Sequence, residues 1–178
     1  MILITIILFL AILVLSGCTN NSTYENNFSF TNTDGVTIEL KEFKGKIVIV
    51  DFWYTTCQPC QYQMTELKKI YDSYSRDELE IISLNIAGES ANSINTFINA
   101  FDEQLDMKLN WIFGIDDGTV WNEYKLKNSA VPTLYIFDQT GKVHFSEEGL
   151  SFYDEVPDNW PESYGDPTRL KPEIEELL

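Results

Sequence analysis

The chain has 178 residues, a hydrophobic share of 44% and a formal net charge of −16. That length and apolar content suffice for one packed domain with an appendage. So acidic a chain repels phosphate backbones and offers no basic patch to anionic lipid, which excludes nucleic-acid binding as its task.

Met1 to Leu15 is apolar apart from Thr5. A spanning helix needs about 20 such residues, so the run suits a signal peptide's apolar segment. Leu15-Ser16-Gly17-Cys18 resembles the lipobox of prokaryotic lipoproteins. That resemblance implies cleavage before Cys18 and a lipid on its thiol. The first basic residue is Lys41, so an uncleaved anchor is the alternative for residues 1–18. Either reading tethers the protein to the membrane outside the cytoplasm. Residues 19–33 are mostly Asn, Ser and Thr, with sequons at Asn20, Asn21 and Asn27. They read as a flexible tether, because such a composition buries too little apolar surface to fold alone.

The main domain is expected over residues 34–150. Asp34-Gly35 between Phe28–Thr31 and Val36–Leu40 signals a β-hairpin that also takes in the tether's last residues. Ile47 to Trp53 is a continuous, largely β-branched apolar run and reads as a central strand buried on both faces. Pro59 fits the first turn of a helix, and Leu67, Ile70, Tyr71 and Tyr74 follow at helical spacing. A second buried strand is read over Leu79–Ile86. Ser90 caps a helix through Ile94, Phe97, Ile98 and Phe101. A short helix follows at Val120–Leu126, then strands at Thr133–Asp138 and Lys142–Ser146 around a Gln139-Thr140-Gly141 turn. The order β-β-β-α-β-α-α-β-β predicts an α/β sandwich on one mixed sheet. Residues 151–178 read as an acidic extension: an irregular surface segment to Pro167, then a short helix over Pro172–Leu178.

Cys57 and Cys60 stand three apart at the strand-to-helix junction. The attacking species in disulfide exchange is a thiolate, and a helix N-terminus stabilises it through free N–H groups and the dipole. Cys57 occupies that position, and Cys60 lies one turn in, where it can resolve a mixed disulfide. Half of a zinc site and an inert structural disulfide are the alternatives. Asp51, inside the apolar strand, is an acid whose pKa burial should raise. It is a candidate to take the proton of Cys60.

The segment Val50 to Cys60, with Lys44-Gly45-Lys46 before it and Leu84 to Ser90 after it, resembles the TlpA-like (ResA-type) branch of the thioredoxin superfamily. The resemblance implies a thioredoxin-like three-layer sandwich with helices on both sheet faces, an N-terminal hairpin, and a strand–helix insertion within Leu109–Leu126. It implies that Val131-Pro132-Thr133 is a cis-proline loop facing the cysteines, with the Val131 backbone pairing with a client chain. Thr56, Gln58 and Pro59 complete the expected substrate surface, with Trp53 read as core packing that turns one edge toward it. The family uses no cofactor beyond the dithiol, takes electrons from a membrane dithiol donor and passes them to cysteine-containing client proteins. Thr56 replaces a common tryptophan, and Ser83 stands where many thioredoxins carry a lysine. Trp111, Trp121 and Met64 are assigned to the core and His144 to the surface. A thiol peroxidase, or a copper-handling lipoprotein using Cys57, Cys60, Met64 or His144, is the alternative function.

Overall fold

Ile47–Trp53 (β3) is buried at every position, and the sheet is built outward from it. The computed structural model describes residues 24–161 and 166–178. The signal segment, Cys18 and the first part of the expected tether lie outside the described residues. No described helix is long and apolar enough to cross a membrane.

Seven strands form one sheet in the order β2-β1-β5-β4-β3-β6-β7. They are β1 (Ser29–Asn32), β2 (Thr37–Glu39), β3, β4 (Leu79–Asn85), β5 (Ile112–Ile115), β6 (Thr133–Phe137) and β7 (Val143–Glu148). β3, β4 and β5 run parallel, and the remaining pairings are antiparallel. The helices are α1 (Gln58–Ser73), α2 (Ala91–Leu105), α3 (Thr119–Tyr124) and α4 (Leu170–Glu175), with a 3-10 turn at Leu40–Phe43.

Side-chain alternation along β3 divides the interior in two. Ile47, Ile49 and Trp53 enter a core shared with α1, α2 and α4. Val48, Val50 and Phe52 enter a second core closed by Val120 and Tyr124 of α3 and by Leu40, Phe28 and Phe30. Helices therefore cover both sheet faces, as the family resemblance implies. Asp51 shares its period with Ile49 and Trp53, on the side of α1.

β5 is absent from the element order read from the residues, and it supplies the strand of the implied insertion. It bridges the hairpin to the parallel strands. A Cβ on Gly114 would sit 2.4 Å from the Phe30 ring, so glycine at this point is what lets β1 close on β5. Two boundaries change. Residues 24–33 are part of the folded domain, because Phe28 and Phe30 are buried and Asn26 Nδ2 donates to the Gly141 carbonyl at 2.7 Å. The extension is also more than a surface wrapping. Ser151 and Phe152 are buried, and Leu170 and Ile174 are fully buried in the α1 core. The last helix starts two residues before Pro172, which sits in the first turn, where its missing N–H is harmless;. His144 is half-buried rather than on the surface, its Nε2 3.3 Å from Glu173 Oε2 of α4.

Truncating a fully buried leucine removes its transfer energy and leaves a cavity. Leu170→Ala is expected to lower unfolding stability by about 2–5 kcal/mol in urea titrations, against under ~1 kcal/mol were the extension only a loose wrapping.

Candidate active site

Tyr54-Thr55-Thr56 carries the chain from the end of β3 to Cys57, the residue that caps α1. Cys57 and Cys60 form a disulfide with Cα atoms 5.2 Å apart. The Cys60 backbone N–H donates to Cys57 Sγ at 3.1 Å. A sulfur thus accepts the hydrogen bond that an Asp or Ser oxygen usually accepts at a helix start. The same donor, with the helix dipole, would stabilise negative charge on Cys57 once the pair is reduced. Cys60 is fully buried and Cys57 is 4% exposed, so only the first sulfur approaches the surface.

Cys57 Sγ lies 3.9 Å from the Val131 carbonyl oxygen, and the Val131–Pro132 peptide is cis. The loop expected opposite the cysteines therefore stands there. Thr133 Oγ1 donates to Ala130 O at 2.6 Å, and the Pro132 carbonyl accepts from Gly149 N at 2.8 Å, which pins the loop from both sides. Thr56, Gln58 and Pro59 form an exposed lip beside it, with Val131 half-buried. Trp53 and Thr133 are different. Both are fully buried, so neither can touch a substrate chain, and they support the surface from beneath. Trp53 packs against Phe97 and Phe113 with ring centroids 5.1 and 5.7 Å away.

Asp51 is fully buried. Ser83, its partner across the β3–β4 ladder, donates to Oδ2 at a long 3.3 Å, and Oδ1 has no hydrogen-bond partner among the described residues. Trp111 Nε1 donates to the same Ser83 hydroxyl at 2.9 Å, fixing its rotor toward the acid. Desolvation outweighs the single hydrogen bond and pushes the Asp51 pKa up to about 7;. An acid of that strength can both hold and release a proton at neutral pH.

Comparison with known proteins agrees with this geometry. The family described as AhpC/TSA matches residues 25–146. The chain belongs to the AhpC/TSA family. A relative named thiol-disulfide oxidoreductase ResA, from Bacillus cereus, is 35% identical over 118 residues, 66% of this chain and 63% of that protein. The match thus spans less than two-thirds of the relative's length. StoA from Bacillus subtilis superposes with a TM-score of 0.57 at 21% identity, covering 71% of this chain and 90% of that one. A thiol-disulfide isomerase from Corynebacterium glutamicum superposes with a TM-score of 0.63 at 16% identity, covering 89% and 97%. At such identities these two likenesses show the fold, which is thioredoxin-like.

Three residues of this AhpC/TSA chain escaped sequence reasoning. Glu89 accepts hydrogen bonds from the Thr55 N–H at 3.0 Å, from the Thr55 hydroxyl and from Asn85 Nδ2, and these bonds hold its pKa below the usual carboxylate value against desolvation. It clamps the loop leading to Cys57. An acid just past the end of β4 was the available signal. Gln63 and Glu66 lie on α1, one and two turns beyond Cys60, and both are buried. Gln63 Oε1 accepts from Ser151 N and Glu66 Oε2 from Tyr153 N, each at 2.9 Å. They bind the C-terminal extension, beyond the matched region, to the cysteine-bearing helix.

The Asp51 shift has a stability consequence. Its pKa is 3.8 when unfolded and about 7 when folded, so between those values the native state holds a proton that the unfolded state has lost. Stability then falls as pH rises from about 4 to about 7, by on the order of 4 kcal/mol in all. Asp51→Asn should flatten this slope in urea titrations of the oxidised protein across that range and stabilise it at pH 8. An unchanged slope would place the titration elsewhere.

Proposed function

We propose that the protein is a thiol–disulfide oxidoreductase, tethered to the membrane outside the cytoplasm, that reduces disulfides in partner proteins. The observation carrying this reading is the position of Cys57 Sγ, capped by the Cys60 N–H and set beside the carbonyl that precedes a cis-proline. The names of the matched relatives support it.

In the reduced enzyme, Cys57 thiolate attacks one sulfur of a client disulfide. A Cys57–client bond forms, and the client's other sulfur leaves as a thiolate and takes a proton from solvent. The client backbone pairs with Val131, and Thr56, Gln58 and Pro59 border its path. Cys60 then loses its proton to Asp51 and attacks Cys57 Sγ. The Cys57–Cys60 bond forms, and the client's second sulfur leaves as a thiolate that takes a proton from Asp51 or solvent. One client disulfide has been reduced and one enzyme dithiol oxidised, and a membrane dithiol donor restores the pair. Pro in the Gln58-Pro59 spacer resembles the reducing branch and favours this direction. The N-terminal segment supplies the tether, through a lipid on Cys18 or as an uncleaved anchor.

The alternatives draw less support. Arg76, which a peroxidase reading would want beside the sulfur, is held by the Tyr71 and Tyr74 carbonyls at the far end of α1. Met64 is fully buried and His144 faces Glu173, so neither forms a soft-ligand copper set with the cysteines.

Mixing the reduced Cys60→Ser protein with a disulfide-containing client should accumulate a covalent adduct at Cys57, visible by non-reducing electrophoresis and mass spectrometry. Cys57→Ser should give none. Asp51→Asn should slow release from the wild-type dithiol at pH 7 by roughly 10–100-fold in stopped flow. An adduct that forms equally well without Cys57 would overturn the assignment, and unslowed release would remove the role of Asp51.

A further inference from the structure

The lip at Pro59 and Pro132 opens into a groove of about 620 Å³, and the C-terminal extension forms its outer wall. The groove's apolar lining includes Pro59 and Tyr62 of α1 and Trp160 of the extension. Tyr62 is 57% exposed, although large apolar side chains elsewhere in the chain are mostly buried. Glu147 and Glu148, at the end of β7, and Asp166 also line it. Among the described residues these three are the charged ones lining the groove, and all are acidic.

Their carboxylates are not neutralised. Glu147 Oε2 accepts from the Thr168 hydroxyl at 3.1 Å and Glu148 Oε2 from Asn128 N at 3.2 Å, both uncharged donors. None of the three forms an ion pair among the described residues. With three acidic and no basic side chains among its described lining residues, the groove carries a negative potential that favours a cation;. The exposed Tyr62 ring can meet such a cation, and the apolar lining suits the methylene stem of Lys or the guanidinium plane of Arg;.

We infer that this groove selects clients carrying Lys or Arg within a few residues of the attacked cysteine. The inference rests on the reading that the protein exchanges disulfides with client chains, and it adds the class of chain. A client lying along Val131 runs on from the cysteine pair into the groove. A basic side chain there meets the carboxylates while its neighbouring sulfur meets Cys57.

The test uses two synthetic peptides that share one intramolecular disulfide and differ only in flanking residues, two lysines in one and two glutamates in the other. Reduction by the reduced protein is followed by chromatography at low ionic strength and again with added salt. The lysine peptide is expected to react with a roughly tenfold larger second-order rate constant, with the preference shrinking as salt rises. Glu147→Gln with Glu148→Gln and Asp166→Asn should bring the ratio close to one. Asp166→Asn alone, at an exposed position, should move it part of the way and guards against misfolding of the triple variant. Asp77→Asn with Asp102→Asn and Glu103→Gln removes the same charge away from the groove and should keep the preference. Equal rates for the two peptides in the unmodified protein would overturn the inference and leave the oxidoreductase reading standing. A preference lost equally in both triple variants would also overturn it, by assigning the effect to net charge. Reduction of neither peptide would count against the oxidoreductase reading itself.

Discussion

The site depends on one hydrogen bond, from the Cys60 N–H to Cys57 Sγ. A helix that follows a buried strand must begin with donors no carbonyl can reach, and something must accept from them. Here the acceptor is the sulfur. Structure and chemistry are thereby joined, because the group that completes α1 is also the group whose negative charge the helix favours. The rest of the molecule holds that junction still. β3 is buried along its length, Glu89 clamps Thr55, and Thr133 and Gly149 fix the loop that presents Val131.

Capping and burial pull in opposite directions. Stabilising a thiolate stabilises the reduced state and makes a pair more oxidising. An ionised carboxylate on the same side of β3 disfavours a second negative charge there and opposes that trend. With no lysine beside Asp51, only the Ser83 hydroxyl and its Trp111 support moderate the acid. Serine solvates a carboxylate without neutralising it, so the acid keeps its proton to about pH 7. The departure noted at Ser83 thus bears directly on the proton step proposed for Asp51.

Much of this was legible in the sequence because local rules agreed with the tertiary outcome. Apolar continuity marked β3, Pro59 marked the start of α1, and Ser90 capped α2 as read, accepting from Ser93 N at 3.2 Å. The illegible parts are those set by distant partners. β5 has only four residues with a glycine among them, too short a run to stand out, and β1 and β4 pair with it from both sides;. Trp53 ends a strand read as buried on both faces, and that burial leaves no edge for a client; Thr133 carries no local sign that the sheet would bury it wholly, so its proximity to the cysteines was mistaken for access. Gln63 and Glu66 look like the polar face of an amphipathic helix. Their partners lie 88 and 87 residues away, a pairing no window of sequence displays.

Those two distant bonds also bear on how a client would be held. A loop that must order itself around a ligand costs conformational entropy for each residue it fixes. Both described ends of the extension are fixed beforehand: Ser151 and Tyr153 are bound to α1, Phe152 rests edge-on against Trp160 at 5.1 Å, and Leu170 and Ile174 are sunk in the core. Trp160 and Tyr62 both line the groove. The anchors lie on the helix that Cys57 caps, so the outer wall and the attacking sulfur keep one spacing. A client that matched the groove would have its cysteine presented at the same distance from Cys57 each time, which is the condition for binding energy to act on the exchange step.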